Sequence, residues 1–172
     1  SNLDFDVETR SGVPHEVIGA ELRRHDVSLI KKEPPTDYGV GESPSDAMAR
    51  LIKTSSRPVV AVPEGHRGGD TIVVAFDGSP PASRALFALV GSGLPAIGNV
   101  TLLAVDEHSE QAARETAQCG LDYLQRHEIE TTVQPIASDR SVAEIVCEEA
   151  ERQRAALIVM GPHARSALVE FF

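Results

Sequence analysis

Hydrophobic positions along this chain fall into two patterns, unbroken runs and spaced faces. From Thr71 to Pro81 the chain reads T-I-V-V-A-F-D-G-S-P-P, and Ile72 to Phe76 form an apolar run without a helical period. Such a run predicts a strand covered on both faces in a parallel sheet. Asp77-Gly78 ends it, Ser79 is placed to cap a helix, and Pro80 or Pro81 falls in a first turn where a missing N–H costs nothing. Ligands of open parallel sheets lie beyond the carboxyl ends of the strands, which makes Asp77 the first candidate for function.

Before this stretch the pattern is weaker. Phe5 to Arg10 alternates apolar and polar residues and predicts a strand, turned by Ser11-Gly12. Pro14 to His25 carries Val17, Ile18 and Leu22 on a modest helical face, with Arg23, Arg24 and His25 in the last turn. Asp26 to Ile30 predicts a second short strand. A loop rich in Pro and Gly, K-K-E-P-P-T-D-Y-G-V-G-E, then leads to Ser43 and Pro44, which open a helix holding Ala47, Met48, Leu51 and Ile52. R-P-V-V-A-V-P is a third strand, and its bracketing prolines put it at a sheet margin. Glu64 to Asp70, polar and Gly-rich, is the linker candidate.

After the central run, a helix from about Pro81 to Val90 buries Leu86, Leu89 and Val90. N-V-T-L-L-A-V is another buried strand ending at Asp106. Ala113, Ala117, Leu121 and Leu124 mark one face of a helix near Ser109 to His127, and Glu130 to Ala137 is a strand. Ser141-x-x-Glu144 reads as a capping box before a helix with Val142, Ile145, Val146 and Ala150 on its apolar face. Ala156 to Met160 is the last strand, broken by Gly161. Strands alternating with helices define an α/β fold with a mostly parallel sheet. The segment from Asp6 to Ile30 also reads like that from Thr132 to Met160: strand, turn, helix with an apolar pair (Val17-Ile18, Ile145-Val146), strand. Two copies of one fold are implied.

Composition narrows the partners. At 172 residues and 41% hydrophobic content, the chain suits one large or two small domains with a sizeable core. Aromatic residues make up only 4%, so that core must be aliphatic, as in helix-covered parallel sheets. A formal net charge of -10 with no basic run opposes nucleic acid and anionic membranes. No apolar stretch approaches the roughly 20 residues of a spanning helix, and the N-terminus has no signal-peptide core; a cytoplasmic location is expected. Cys119 and Cys147 have no metal spacing and read as ordinary thiols. Gly91 to Ala96 matches a dinucleotide fingerprint by letters, but it lies between a helix and a strand, the reverse of that motif's order, and reads as a connection. His15-Glu16 and His127-Glu128 lack a second histidine four residues on, so zinc-protease chemistry has no support. There is no phosphate-loop lysine motif, no G-x-S-x-G elbow and no Ser/His/Asp set.

I-V-V-A-F-D-G-S-P-P-A-S-R-A-L as first strand and helix, A-L-I-V-M-G-P-H-A-R-S as fourth strand and loop, and S-S-R-P-V-V-A-V-P as last strand carry a resemblance. In their order they resemble the universal stress protein family, in a tandem arrangement. The resemblance implies an open, mostly parallel sheet with helices on both faces, of the Rossmann-like, adenine nucleotide alpha hydrolase-like kind. Residues 1–66 are similar to the second half of a first such domain, and residues 67–172 to a second domain lacking its last helix and strand. A fragment of a longer tandem protein is the expectation. A circular permutation, with Ser43 to Pro63 completing the second domain, is an alternative that leaves the first strands orphaned.

In family members that bind ATP, a carboxylate ending the first strand sits by the nucleoside. A G-x-x-G turn after the fourth strand, and a Gly-Ser/Thr about nine residues on, hold ribose and phosphates through backbone N–H groups. Asp77 matches the carboxylate and Val105 lies at the neighbouring strand end. Gly161-Pro162-His163-Ala164 matches the turn in part, with Ala164 at its second glycine, and His163 and Arg165 are candidates to meet phosphates. Asp77 has a second reading as a plain turn residue, and His163 and Arg165 as solvated loop residues. In the first copy Lys31 stands at the place of Gly161 and K-E-P-P replaces the glycine turn, so ATP is expected in the second copy only. The resemblance implies a stress-response module with at most slow ATP hydrolysis and self-association between such domains. The alternative is a non-nucleotide interaction or dimerisation module of the same fold. Adenylating enzymes with related sheets use a Ser- and Gly-rich pyrophosphate loop after the first strand, and D-G-S-P-P argues against that chemistry.

Overall fold

In the computed structural model, which describes residues 4–31, 44–65 and 69–162, the central apolar run is a strand hydrogen-bonded along both edges. The elements follow as α1 (Pro14–Glu21, continued by a 3-10 turn Leu22–Arg24), β1 (Ser28–Lys31), α2 (Pro44–Thr54), β2 (Val59–Val62), β3 (Thr71–Ala75) and α3 (Pro80–Gly91). A 3-10 turn, Leu94–Ile97, then leads to β4 (Asn99–Asp106), α4 (Glu110–Arg126), β5 (Thr131–Ala137), α5 (Val142–Arg152) and β6 (Ala155–Val159). The chain divides into two units, Ser1–Glu64 and Gly65–Phe172, within the segment read as a linker.

The second unit is a parallel sheet in the order β5-β4-β3-β6. β3 is an inner strand, as its composition requires, and Phe76 prolongs its pairing by donating its N–H to Leu103 O at 2.9 Å. Successive β3 side chains serve opposite faces. Ile72, Val74 and Phe76 pack with Leu86 and Leu89 of α3 and with Ala113, Ala117 and Leu124 of α4. Val73 packs with Leu103 and with Val146 and Ala150 of α5. Helices therefore cover both faces, and the aliphatic core expected from the low aromatic content is the one found. Thr101, almost fully buried in β4, donates its hydroxyl to Gln153 Oε1 at 2.7 Å, and Gln153 Nε2 donates to Gln134 Oε1 at 2.9 Å. A polar group inside the sheet is tolerated because it is paired.

In the first unit β1 and β2 pair in parallel from Ser28↔Val59 to Lys31↔Val62, and α2 connects them. Leu22, Met48 and Leu51 are its buried hydrophobic residues among those described, and α1 packs on α2. β2 pairs with β1 alone among the described residues, in keeping with its prolines. Ser43 and the loop before it lie outside the described residues.

Three expectations change. Phe5 to Arg10 is not a strand: no strand pairs with it among the described residues, and Phe5 and Val7 are 77% and 84% exposed. Alternation makes a segment fit for a sheet, but only a neighbour's backbone makes it a strand. The capping box after β5 does not form as read, since Ser141 holds the N-cap position without a side-chain cap bond and Glu144 instead accepts from Arg140 at 3.3 Å. Arg140 also bonds Glu148. Val142 is exposed, and Ala143 takes its place on the buried face of α5.

Leu102 is fully buried between β3 and α4. Leu102→Ala is expected to destabilise this unit by about 2–5 kcal/mol, measured by urea unfolding. A loss below about 1 kcal/mol would show that the core collapses into the space.

Candidate functional site

The order of the strands locates the site before any side chain is considered. From β3 the chain steps outward to β4 and β5, then returns to the other side of β3 as β6. Where an open sheet reverses in this way, helices on opposite faces leave a crevice beyond the carboxyl ends of the two central strands. β3 and β6 are those strands here.

The turn after β3 is built by its own side chains. Asp77 Oδ1 accepts from Ser79 N–H at 2.9 Å, Ser79 Oγ accepts from Ala82 N–H at 3.3 Å, and Gly78 sits at φ 74°. Left-handed backbone at that point strains any residue with a Cβ, which is why Gly follows Asp. Pro80 and Pro81 open α3 without N–H groups to satisfy. On one side of the turn stands Thr116 of α4, whose Cγ2 is 3.6 Å from where a Gly78 Cβ would lie.

β4 ends by the same device. Asp106 Oδ1 accepts from the N–H groups of His108 at 2.8 Å and Ser109 at 3.0 Å, and Ser109 Oγ accepts from Ala112 N–H at 3.0 Å. The His108 and Ser109 N–H groups hold the Asp106 carboxyl below the usual aspartate range. Val105, one residue earlier, is half-buried.

β6 closes the crevice from the other side. A Cβ on Gly161 would stand 2.7 Å from Ala82 N and 2.8 Å from the Pro81 carbonyl carbon. The chain leaving β6 thus lies directly on the first turn of α3, and only glycine permits that approach.

Asp77, Val105 and Gly161 therefore sit at or just past the carboxyl ends of three adjacent strands, β3, β4 and β6. His163, Ala164 and Arg165 lie outside the described residues. Asp77 is exposed, and its one hydrogen bond within the described residues is the turn bond through Oδ1. In the first unit Lys31 ends β1 and forms an ion pair with Glu64, whose carboxyl it lowers; the K-E-P-P that replaces the glycine turn begins at Lys32, outside the described residues. Gly91 ends α3 and Gly93 precedes a 3-10 turn, so the fingerprint letters fall on a connection. Reading the sequence missed Thr116, which had no local signal, and the double hydrogen bond at Asp106. The Asp-x-x-Ser spacing before α4 was the signal for the latter. Among the described residues, no group of three or more His, Cys, Asp or Glu side chains is placed to hold a metal ion, and no helix is long and apolar enough to cross a membrane.

Comparison with known proteins bears out the family and leaves the tandem arrangement untested. Residues 69–172 match the model of the Universal stress protein family. A solved structure, described as the crystal structure of a protein from the universal stress protein family from Burkholderia pseudomallei, is similar at 26% identity and a TM-score of 0.48. It covers 59% of this chain and 88% of that one. No curated protein matches.

Gly161→Ala is expected to cost about 1–3 kcal/mol in urea unfolding, because the added methyl meets backbone rather than a movable side chain. An unchanged midpoint would mean that the strand end moves off α3 freely. For Asp106, a folded value below the ordinary one means stability that is present above the usual aspartate range and lost as pH falls through the lowered value. A carboxyl-carbon NMR titration of Asp106 is expected to give a midpoint below that of an unfolded aspartate, and Asp106→Asn to flatten this part of the acid limb. A midpoint at or above the unfolded value would remove the two backbone bonds as its cause.

Proposed function

Because the chain belongs to the universal stress protein family, we propose that its second unit is a stress-response module that takes ATP or a related adenine nucleotide beyond the ends of β3, β4 and β6. The observation that carries this reading is the meeting of Asp77, Val105 and Gly161 at the reversal of strand order, with the β3–α3 turn and the end of β6 packed together. In the proposal Asp77 and Val105 face the nucleoside. Gly161, His163, Ala164 and Arg165 take the ribose and phosphate side by analogy with the family pattern. Hydrolysis is slow at most, by analogy with the family pattern. The module acts in the cytoplasm and self-associates.

Lys31 and Glu64, paired at the end of β1, favour one site per chain over two. A second reading, an interaction module that binds no nucleotide, draws on Phe87. This side chain is 69% exposed on α3 with its ring 6.5 Å from that of Tyr123.

Isothermal titration with ATP is expected to give at most one site per chain, and two equivalent sites would overturn the assignment. Ala164→Gly is expected to tighten ATP several-fold, from relief of about 1 kcal/mol of strain if the turn needs left-handed backbone there. Absence of any nucleotide binding, with loss of self-association in Phe87→Ser by light scattering, would favour the interaction module.

A further inference from the structure

The outer side of α3 differs from those of α4 and α5 in carrying almost no charge. Between Asp77 and Asp106 the chain has no acidic residue and a single cation, Arg84. By contrast α4 displays Arg114 with Glu110, Gln118 with Asp122 and Gln111 with Glu115, and α5 displays Glu144 and Glu148 with Arg140. Polar pairs of this kind keep a helix face in water. On α3 the outer position belongs to Phe87, 69% exposed, with Tyr123 beside its ring. One turn later stands Gly91, where an added Cβ would meet nothing within 4 Å. Leu94, 40% exposed, follows in the 3-10 turn.

Resting on the self-association proposed above, we propose that this face of α3 binds the same face of a second copy, each Phe87 seated over the partner's Gly91. Charge selects the surface. Two chains of net charge -10 repel one another, and contact is least opposed where the surfaces that meet hold no acid. Shape selects the occupant. Phe87 and Gly91 are four residues apart and so share one side of the helix, a projection and an open place about 6 Å apart along its axis. A two-fold axis between them fits each projection to the other copy's open place at once. The missing side chain at Gly91 lets the helices approach, and the approach removes from water the ring that a single chain leaves exposed.

Sedimentation equilibrium on the parent chain, Phe87→Ser and Gly91→Gln tests the pairing. Gly91 is not among the glycines with left-handed backbone, so Gln fills the open place without strain and favours the helix. Circular dichroism is expected to show both variants folded. The parent is expected to be a dimer at about 100 μM, and each variant to weaken it at least about tenfold. Added salt is expected to tighten the parent dimer, because it screens the net repulsion. Either variant associating as the parent does, or a parent dimer loosened by salt, overturns the inference and leaves self-association to another surface. If the parent is a monomer at that concentration, self-association itself falls and the inference with it.

Discussion

A strand paired on both edges and covered on both faces can present its chemistry only at its end. β3 is such a strand. Its backbone bonds to β4 and β6, and its side chains are divided between the α3–α4 layer and the α5 layer. Its backbone groups are spent on the sheet, and apart from Thr71, whose hydroxyl donates to Asp70 Oδ1, its side chains are apolar. The first residue free to meet a ligand is Asp77, and the reversal of strand order puts the end of β6 beside it. Core and site are thus consequences of one burial pattern.

The two strand-to-helix turns on this side show how the acidic chain uses its carboxylates locally. Asp77 and Asp106 each accept from backbone N–H groups of the turn that follows, and Ser79 and Ser109 each cap the next helix. These groups would otherwise need water or a ligand. With its donors satisfied from within, the start of α3 attracts anions weakly, and a net charge of -10 adds to that.

The first unit shows the same α/β grammar at smaller scale. β1, α2 and β2 form a parallel pair joined by a helix, and α1 packs on α2. Two strands make a thin sheet, and Leu29 of β1 is 72% exposed. Lys31 and Glu64 pair at the sheet's end. An exposed ion pair of this kind contributes little to stability.

From the sequence alone came the α/β class, the inner position of β3, the capped start of α3 and the placement of Asp77 at a strand end. Each of these is written in neighbouring residues: an apolar run, an Asp-Gly pair, a Ser before two prolines. Tertiary structure decided what depends on residues distant in the chain. Phe5 to Arg10 has the alternation of a strand and, among the described residues, none of its hydrogen bonds, because a strand exists only through its neighbour. Ser141 and Glu144 have the spacing of a capping box, yet the Ser141 side chain makes no cap bond and Glu144 pairs with Arg140. Gly161 looks like a strand breaker by itself. Its need for glycine comes from the backbone of Pro81 and Ala82, about eighty residues earlier in sequence and within van der Waals contact only once β6 has crossed back to lie beside β3.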